Sequence, residues 1–251
     1  MKFCYKGDEL AGLRQYRDAN PENRWENFRQ ECQSGLTEVY EHLHQDQGGL
    51  CVYCELSVSG DNRQVEHFHD KSDESDAVSP TKWHLAWDNM RYACKGGTGQ
   101  NSDPNVFMEP VKENLSCGQA KGNGVYQNIL APDDIPLFPN IFRYERKEKA
   151  VTIHPDEERC REAKIDIARA QRTIDELNLN CPRLCQSRLA YWMPLEEILI
   201  KHRPNTQEKI RLASILLGDA QREKRRSFFS MIRSILKESA EEYLHDIGYN
   251  G

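Results

Sequence analysis

Two cysteines of this sequence, Cys51 and Cys54, are separated by only two residues. This C-x-x-C spacing lets two thiolates on one tight turn bind the same tetrahedral Zn²⁺ at about 2.3 Å. A redox C-x-x-C would instead begin a helix, whose dipole lowers the thiol pKa. Because β-prone residues lie on both sides of this pair, the sequence favours a zinc site over a redox site.

A tetrahedral zinc site needs two further ligands, and the next cysteines along the chain are Cys94 and Cys117, with 22 residues between them. Zinc ribbons commonly supply a second short C-x-x-C, but residue 97 here is Gly97. We expect Cys94 and Cys117 to complete the zinc site, the alternative being that they are small buried core residues. The remaining cysteines have no partner at a suitable spacing: Cys4, Cys32, Cys160, Cys181 and Cys185.

An acid and an imidazole stand side by side at Glu66 and His67, twelve residues after Cys54. Phosphodiester hydrolysis needs a hard cation on the phosphate and a base that takes a proton from water. Glu66 and His67 match these two functions, provided that a backbone carbonyl fixes one ring nitrogen as the donor. An ideal strand would place them on opposite faces, so a bulge or a strand end is needed. Taken alone, the pair is better explained by chance or by a surface salt bridge.

The order of these motifs along the chain carries more information than each motif does alone. The order is C-x-x-C, Glu66-His67, Trp87-Asp88-Asn89, Cys94 and then Cys117-Gly-Gln-Ala-Lys-Gly122. This order resembles that of the HNH, or ββα-metal, nucleases. The resemblance implies a structural Zn²⁺ and a catalytic Mg²⁺ or Mn²⁺. It also implies that Glu66 holds the catalytic ion, His67 is the general base and Asn89 fixes the loop that positions the histidine.

A more specific resemblance is to the PtuB-type HNH nucleases of Septu and retron anti-phage systems. It extends over roughly residues 25–190 and includes Leu179-Asn-Cys-Pro-Arg-Leu184. The resemblance implies a toxic effector subunit that acts with an ABC- or SMC-like ATPase of the PtuA type. In retron versions, a reverse transcriptase and its RNA–DNA product would join the complex. Whether the substrate is phage DNA, host DNA or transfer RNA stays open.

One position departs from the family pattern. HNH proteins usually carry a His or Asn three residues before the final lysine, here Lys121, as a second metal ligand, but this chain has Gly118. We expect Gln119, then His69, then Asn123 to take its place, with Asp70 a further donor. A site with one ligand fewer should bind Mg²⁺ weakly, which favours Mn²⁺ or Ni²⁺. The missing ligand also fits an alternative function, a catalytically weak zinc-stapled adaptor that docks partner proteins.

The charge balance bears on nucleic-acid binding. The 251 residues include 34 Lys and Arg against 40 Asp and Glu, a net charge of −6, which disfavours a transcription factor that binds DNA by charge alone. Lys121 and a basic run near the C-terminus could still contact phosphate, although a solvated helix face is the simpler explanation of that run. The run comprises Arg222, Lys224, Arg225 and Arg226, followed by Phe228 and Phe229.

The sequence also predicts the compartment. No stretch approaches the roughly 18 apolar residues of a membrane span, and the first five residues lack the apolar block of a signal peptide. Nine cysteines are an odd number, which suits reduced thiols and metal ligation better than disulfides. We therefore expect a cytoplasmic protein without a membrane segment.

Hydrophobic periodicity predicts an α+β fold that is mostly α, with short strands between an N-terminal helix and a C-terminal helical module. The resemblance implies that the short strands belong to a small ββα-metal core. The expected divisions are an arm and helix over 1–49, a nuclease core over 50–125, an irregular connection over 126–155 and helices over 156–251. Within them we expect a polar arm or lid over 1–20, one helix from Pro21 to Gly48, and strands at 50–53, 65–68 and 141–144.

The C-terminal module should consist of several helices with apolar stripes. The patterns predict helices over 156–179, beginning after Pro155, and over 195–201, 206–217 and 220–244. Pro194, Pro204 and Gly218 should break them. From Leu195 onward, the apolar stripes fit either an ATPase docking surface or internal core.

Overall fold

The computed structural model describes residues 1–74, 81–98, 111–219 and 224–251. Over these residues the protein is mixed α and β, mostly helical, with two small antiparallel sheets. The helices are α1 (Ala11–Ala19), α2 (Trp25–Glu31), α3 (Gln33–Gln47), α4 (Lys82–Leu85), α5 (Glu157–Glu162), α6 (Ile167–Glu176), α7 (Pro182–His202), α8 (Thr206–Leu217), α9 (Phe229–Leu236) and α10 (Glu238–Asp246). The strands are β1 (Arg63–His67), β2 (Met90–Cys94), β3 (Phe142–Lys147) and β4 (Ala150–Pro155). Across the described residues, no helix has the length and apolar character to span a membrane.

The N-terminal segment is ordered, so the prediction of a polar arm over 1–20 was wrong. Leu10 and Leu13 are buried and hold α1 against the core. The single helix predicted from Pro21 is two helices, α2 and α3, because Cys32 between them leaves the helical region at φ −124° and ψ 70°. The predicted stop is correct, since Gly48 ends α3 in the left-handed conformation at φ 61°.

β1 and β2 form the hairpin that carries the Glu66-His67 pair. Glu66 lies opposite Arg91 in the ladder, and His67, the last residue of β1, lies opposite Met90. The strand predicted over 50–53 is absent, because Leu50 makes only an isolated bridge with Ser57. Between β2 and β3, the described residues contain only 3₁₀ turns, so the place of the helix expected in a ββα core is taken by the short turn Cys117–Gln119.

The second hairpin, β3 and β4, lies between the first hairpin and the C-terminal helices in the sequence. The strand predicted over 141–144 is present as β3, but β4 was missed because Pro155 suggested a helix start. Pro155 instead ends β4, and Asp156 caps α5 by accepting a hydrogen bond from the Arg159 amide at 3.1 Å. The helix predicted over 156–179 is two helices, α5 and α6, interrupted near Lys164 at φ 57°.

The longest helix, α7, contains Pro194 in its interior, so the break predicted there was wrong. A proline removes one hydrogen bond to the carbonyl four residues earlier. That carbonyl belongs to Ala190, which is exposed together with Pro194, so water can bind it. The helix predicted over 206–217 is confirmed as α8, whereas the one over 220–244 is α9 and α10, which meet at Lys237 at φ 53°.

A buried carboxylate joins the cysteine turn to the C-terminal helices. Glu55 follows Cys54 and is 1% exposed, and its side chain accepts hydrogen bonds from the Ser230 amide at 2.8 Å and the Ser230 hydroxyl at 2.6 Å. The Phe228 amide donates to the Glu55 carbonyl at 2.8 Å. The start of α9 is therefore anchored directly beside Cys54.

We expect Ser230→Ala to destabilise the fold, because it leaves a buried carboxylate oxygen without its hydroxyl donor. Hydrogen bonds to charged groups contribute about 1.5 to 3 kcal/mol, so the free energy of unfolding in urea should fall by that amount. Ser214→Ala is the matched control, since the Ser214 hydroxyl bonds only to an exposed turn of its own helix. Equal stability of the two variants would contradict this role of Glu55.

Candidate metal centre and catalytic site

The four predicted cysteines converge on one buried cluster. Their sulfur atoms all lie within 4.8 Å of one another. The Sγ–Sγ distance is 3.9 Å for Cys51 and Cys117, 3.8 Å for Cys54 and Cys94, and 3.8 Å for Cys94 and Cys117. A regular tetrahedron with Zn–S bonds of about 2.3 Å has edges of about 3.8 Å. The cluster therefore has the spacing and the donor set to hold one Zn²⁺, and the prediction that these four cysteines come together is confirmed.

Glycines explain why the ligands are spaced so unusually along the chain. A Cβ at Gly96 would lie 2.2 Å from the Ser116 carbonyl, and a Cβ at Gly97 would lie 3.0 Å from both Arg183 and the Asn114 carbonyl. Gly97 also has φ +98°, which disfavours any side chain. A cysteine at position 97 would not fit, so the fourth sulfur comes from Cys117, in the neighbouring segment.

His67 is held as a neutral imidazole, and one of its ring nitrogens has no hydrogen-bond partner among the described residues. Its Nε2 lies 3.1 Å from the His84 carbonyl, which can only accept, so Nε2 carries the proton and Nδ1 keeps its lone pair. The Trp25 ring meets the imidazole edge-on, with centroids 5.1 Å apart. Burial, followed by the nearby Lys71 ammonium, lowers the pKa of His67 to about 3. This is the ring arrangement that a proton acceptor requires.

The Glu66 carboxylate lies beside His67 and is balanced by a buried lysine. Glu66 Oε1 is 2.6 Å from Lys121 Nζ and accepts a hydrogen bond from the Tyr53 hydroxyl at 3.2 Å. Lys121 Nζ also donates to the carbonyls of His67 at 2.7 Å and Phe68 at 3.0 Å. Lys121 was predicted to contact nucleic acid, but all three of its hydrogen-bond donors already have acceptors in the protein.

Gly118 lies against Glu66, and the contact explains the missing ligand. A Cβ at position 118 would lie 2.1 Å from Glu66 Oε2. The Glu66 carboxylate thus fills the space that a side chain at position 118 would occupy. No hydrogen bond reaches Oε2 from the described residues, so this oxygen is the one open to a cation.

Not all of the residues predicted to replace a ligand at position 118 lie in the cleft with Glu66. Gln119 and Asn123 line the same cleft as Glu66, as does Asp70. His69 does not line it, because its ring stacks between Trp83 and Tyr126, at centroid distances of 3.7 and 3.9 Å.

The two ring nitrogens of His69 are also engaged. Nδ1 lies 3.2 Å from the Asp70 carbonyl and Nε2 lies 3.3 Å from the Asp73 carboxylate. The structure therefore argues against His69 as a metal ligand.

Asn89 connects the segments on either side of the imidazole. Its side-chain carbonyl accepts from the His69 amide at 2.6 Å, and its NH₂ group donates to the carbonyls of His69 at 3.0 Å and Trp83 at 2.8 Å. Trp83 directly precedes His84, whose carbonyl holds His67. The geometry is what a loop-fixing asparagine would have, and that role stays a prediction.

Glu66 and His67 line an open cleft of about 980 Å³ whose other lining residues include many cations. The basic lining residues are Arg24, Arg29, Arg63, Lys71, Lys95 and Lys121. Three of them are neutralised: Arg24 by Glu74, Lys71 by Glu26 and Lys121 by Glu66. Within the described ranges, no carboxylate forms a salt bridge with the other three, so the cleft has an unbalanced positive charge despite the acidic chain.

These three cations, Arg29, Arg63 and Lys95, were not predicted from the sequence. They come from α2, the start of β1 and the residue after β2, and no run of basic residues marks them. Arg63 lies over the ring of Tyr40 with its guanidinium 4.6 Å from the centroid, which directs it into the cleft wall.

The basic run near the C-terminus is not a solvated patch as a whole. Arg225 is 4% exposed, donates to the carbonyls of Leu217 and Gly251 at 3.2 Å each, and stacks on Phe229 and Tyr249. Arg225 is therefore a core residue, which corrects its predicted contact with nucleic acid.

The other members of the run differ in their exposure to solvent. Phe228 and Phe229 are buried and cannot stack on bases. Arg226 and Lys224 are exposed. Arg222 lies outside the described residues.

Comparison with known proteins relates the chain to two relatives. A protein of Escherichia coli named as a candidate HNH endonuclease of retron Ec83 is 32% identical over 209 residues, which cover 75% of this chain and 78% of the relative. A protein of Vibrio cholerae serotype O1 biovar El Tor, named as a candidate HNH endonuclease of retron Vc95, is 30% identical over 146 residues, or 58% of this chain and 59% of the relative. No family model matches the chain.

The cysteine cluster can be tested by metal content. We expect the purified protein to contain one zinc per chain and Cys94→Ser to lose most of it, because serine is a poor zinc ligand and the site would keep only three thiolates. Cys160→Ser is the matched control, since Cys160 is equally buried but lies outside the cluster. Elemental analysis of both variants measures this, and equal zinc content would exclude Cys94 as a ligand.

Proposed function

This chain belongs to the family of HNH endonucleases represented by the retron Ec83 protein, and we propose that it cuts phosphodiester bonds of nucleic acid with a divalent ion held at Glu66. One observation carries the proposal. A neutral imidazole and a carboxylate lie together in a cleft, and among the described residues His67 Nδ1 and Glu66 Oε2 have no hydrogen-bond partner and three cations of the cleft have no salt-bridge partner. These are the parts that hydrolysis of a polyanion requires.

The donor set around Glu66 fits a hard cation bound with few protein ligands. Glu66 Oε2 is the available carboxylate oxygen, and the side-chain amides of Gln119 and Asn123 line the same cleft. Mg²⁺ usually keeps several waters and binds through one or two carboxylates, so it can occupy such a sparse site, although weakly, and Mn²⁺ would bind there more tightly. When bound, such an ion would polarise the phosphate and stabilise the leaving oxygen.

The protein residues then have separate functions. His67 Nδ1 takes the proton from the attacking water, while the His84 carbonyl keeps the ring in the correct tautomer. A phosphodiester anion beside the ring would raise the pKa of His67 and make it a better base. Asn89 keeps the 83–84 and 68–69 segments in place. Lys121 limits the cost of burying the Glu66 charge.

We propose that the substrate lies along the cleft with its phosphates on Arg29, Arg63 and Lys95. Such contacts bind the backbone of any nucleic acid and do not read bases, so phage DNA, host DNA and transfer RNA all remain substrates for the cleft. The four cysteines hold a structural Zn²⁺ that keeps the cleft assembled.

A partner would deliver this acidic chain to its substrate. We propose an ABC- or SMC-like ATPase of the PtuA type and, in a retron, the reverse transcriptase with its RNA–DNA product, which would make the chain a cytoplasmic anti-phage effector. The docking surface would be α7 and α8, where large apolar side chains remain exposed. These are Met193, Ile198, Ile200 and Ile215, from 41% to 68% exposed.

A second candidate function is a zinc-stapled adaptor with weak or no catalysis. The observation that favours it is the Lys121 ammonium, which lies where it partly neutralises the proposed metal ligand. Cleavage assays separate the two functions.

We expect His67→Ala to reduce the rate of DNA or RNA cleavage in Mg²⁺ or Mn²⁺ by about 10²- to 10⁴-fold, the usual contribution of a general base. Zinc content and the unfolding midpoint should stay close to those of the parent. His202→Ala, an exposed histidine at the end of α7, is the control. If His67→Ala cuts as fast as the parent, His67 is not the base, and if neither protein cuts, the adaptor is favoured.

Reversing the charge of the cleft should weaken substrate binding. We expect Arg29→Glu, Arg63→Glu and Lys95→Glu each to raise KM and to reduce the slope of log affinity against log salt by about 1, because each loses a phosphate contact. Arg161→Glu makes the same charge change at an exposed site on α5 that does not line the cleft. A KM for Arg161→Glu equal to those of the cleft variants would show that only net charge matters.

A further inference from the structure

Arg183 is a fully buried arginine in the first turn of α7. Its exposed fraction is 0%, although a buried guanidinium is costly unless it is paired. Its Nη2 donates to the Ser116 hydroxyl at 2.7 Å and its Nε to the Asn114 carbonyl at 3.4 Å. Its Nη1 is buried with no hydrogen-bond partner. The hydrogen bonds of the guanidinium therefore do not account for its burial.

The segment that Arg183 contacts leads directly into the cysteine cluster. The Ser116 hydroxyl lies 3.5 Å from Cys117 Sγ, so Arg183, Ser116 and Cys117 form a continuous polar chain. Gly97 provides the space for the guanidinium, since a Cβ there would lie 3.0 Å from Nε.

A cysteine site that holds Zn²⁺ would be negatively charged, which would favour a cation such as Arg183 near it. Four thiolates and one Zn²⁺ leave a net charge of about −2 inside the protein, where an unbalanced charge is strongly destabilising. Groups around a metal site that are not ligands typically change metal affinity by about 10- to 100-fold. A guanidinium that is linked through Ser116 to Cys117, and that has an N–H without a partner among the described residues, is suited to this function.

We propose that Arg183 is a positioning residue of the zinc site, which neutralises part of the thiolate charge and orients Cys117 through Ser116. The proposal rests on the zinc assignment made above but does not depend on cleavage activity. This role would explain the presence of Arg183 in the 179–184 motif, since Arg183 does not line the cleft. It also links α7 to the metal, so that the helix with exposed apolar residues is attached to the zinc centre at its other end.

The test measures zinc affinity in the full chain by competition with a chromophoric chelator. We expect Arg183→Met to bind zinc about 10- to 100-fold more weakly than the parent. Arg183→Lys should recover much of this loss, because it keeps the charge and loses only the fork of donors. Ser116→Ala should lie between the parent and Arg183→Met. In the Co²⁺-loaded proteins, the thiolate-to-metal absorption should shift in Arg183→Met and stay close to the parent in Arg183→Lys.

Arg188→Met is the matched control. Arg188 is also buried on α7, but it donates to the Leu179 carbonyl and stacks near Tyr144 and Phe228, so its loss should lower the stability of the fold and leave zinc affinity unchanged. Equal zinc affinity of Arg183→Met and the parent would overturn the proposal, as would Arg183→Lys binding as weakly as Arg183→Met. If Arg183→Met does not fold, Ser116→Ala and Arg183→Lys decide the question. A parent protein without zinc would overturn the zinc assignment itself.

Discussion

Four cysteine sulfurs meet beside the small sheet, 3.8 to 3.9 Å apart in three of their pairs, and a Zn²⁺ bound by them would hold the sheet and its flanking turns together. A two-stranded hairpin has little stability of its own, and small cores commonly need a metal or a disulfide. Here Cys94 ends β2 and Cys117 directly precedes Gly118, so the cluster sets how closely the 117–121 turn approaches Glu66 on β1. The geometry of the acid, the imidazole and the lysine is therefore set by groups that take no part in their chemistry.

The cysteine cluster was predicted from the sequence, whereas several features that depend on other tertiary contacts were not. The C-x-x-C pair and the convergence of its two distant partners were correct, because few residue types can ligate zinc. Pro155 and Pro194 led to wrong predictions. Pro155 ends β4 and does not begin a helix, and Pro194 is tolerated inside α7 because the Ala190 carbonyl, which it leaves without a donor, is exposed to water. The cations of the cleft could not be predicted, because they come from three segments that only the folded chain brings together.

The local charge of the cleft depends on which charged side chains form ion pairs, and not on the net charge of the chain. The chain is acidic overall at −6, yet Glu26 and Glu66 neutralise lysines inside the cleft, and no carboxylate of the described ranges pairs with Arg29, Arg63 or Lys95. Such local fields attract a polyanion at short range, whereas salt largely screens the repulsion from the net charge beyond about 10 Å. A cleft of this kind suits a nuclease that is brought to its substrate and does not search for it alone.

The contact between Gly118 and Glu66 limits where the acid of the metal site can lie. A side chain at position 118 and a glutamate at position 66 compete for one volume, since the added Cβ would lie 2.1 Å from the carboxylate. A shorter aspartate would leave that volume free. A side chain at position 118 would therefore require the end of the Glu66 side chain to move, whereas an aspartate at 66 would not have to move. The position of the acid thus depends on the residue at 118, and a metal site built with Asn or His at 118 would hold its ion with the acid in a different place.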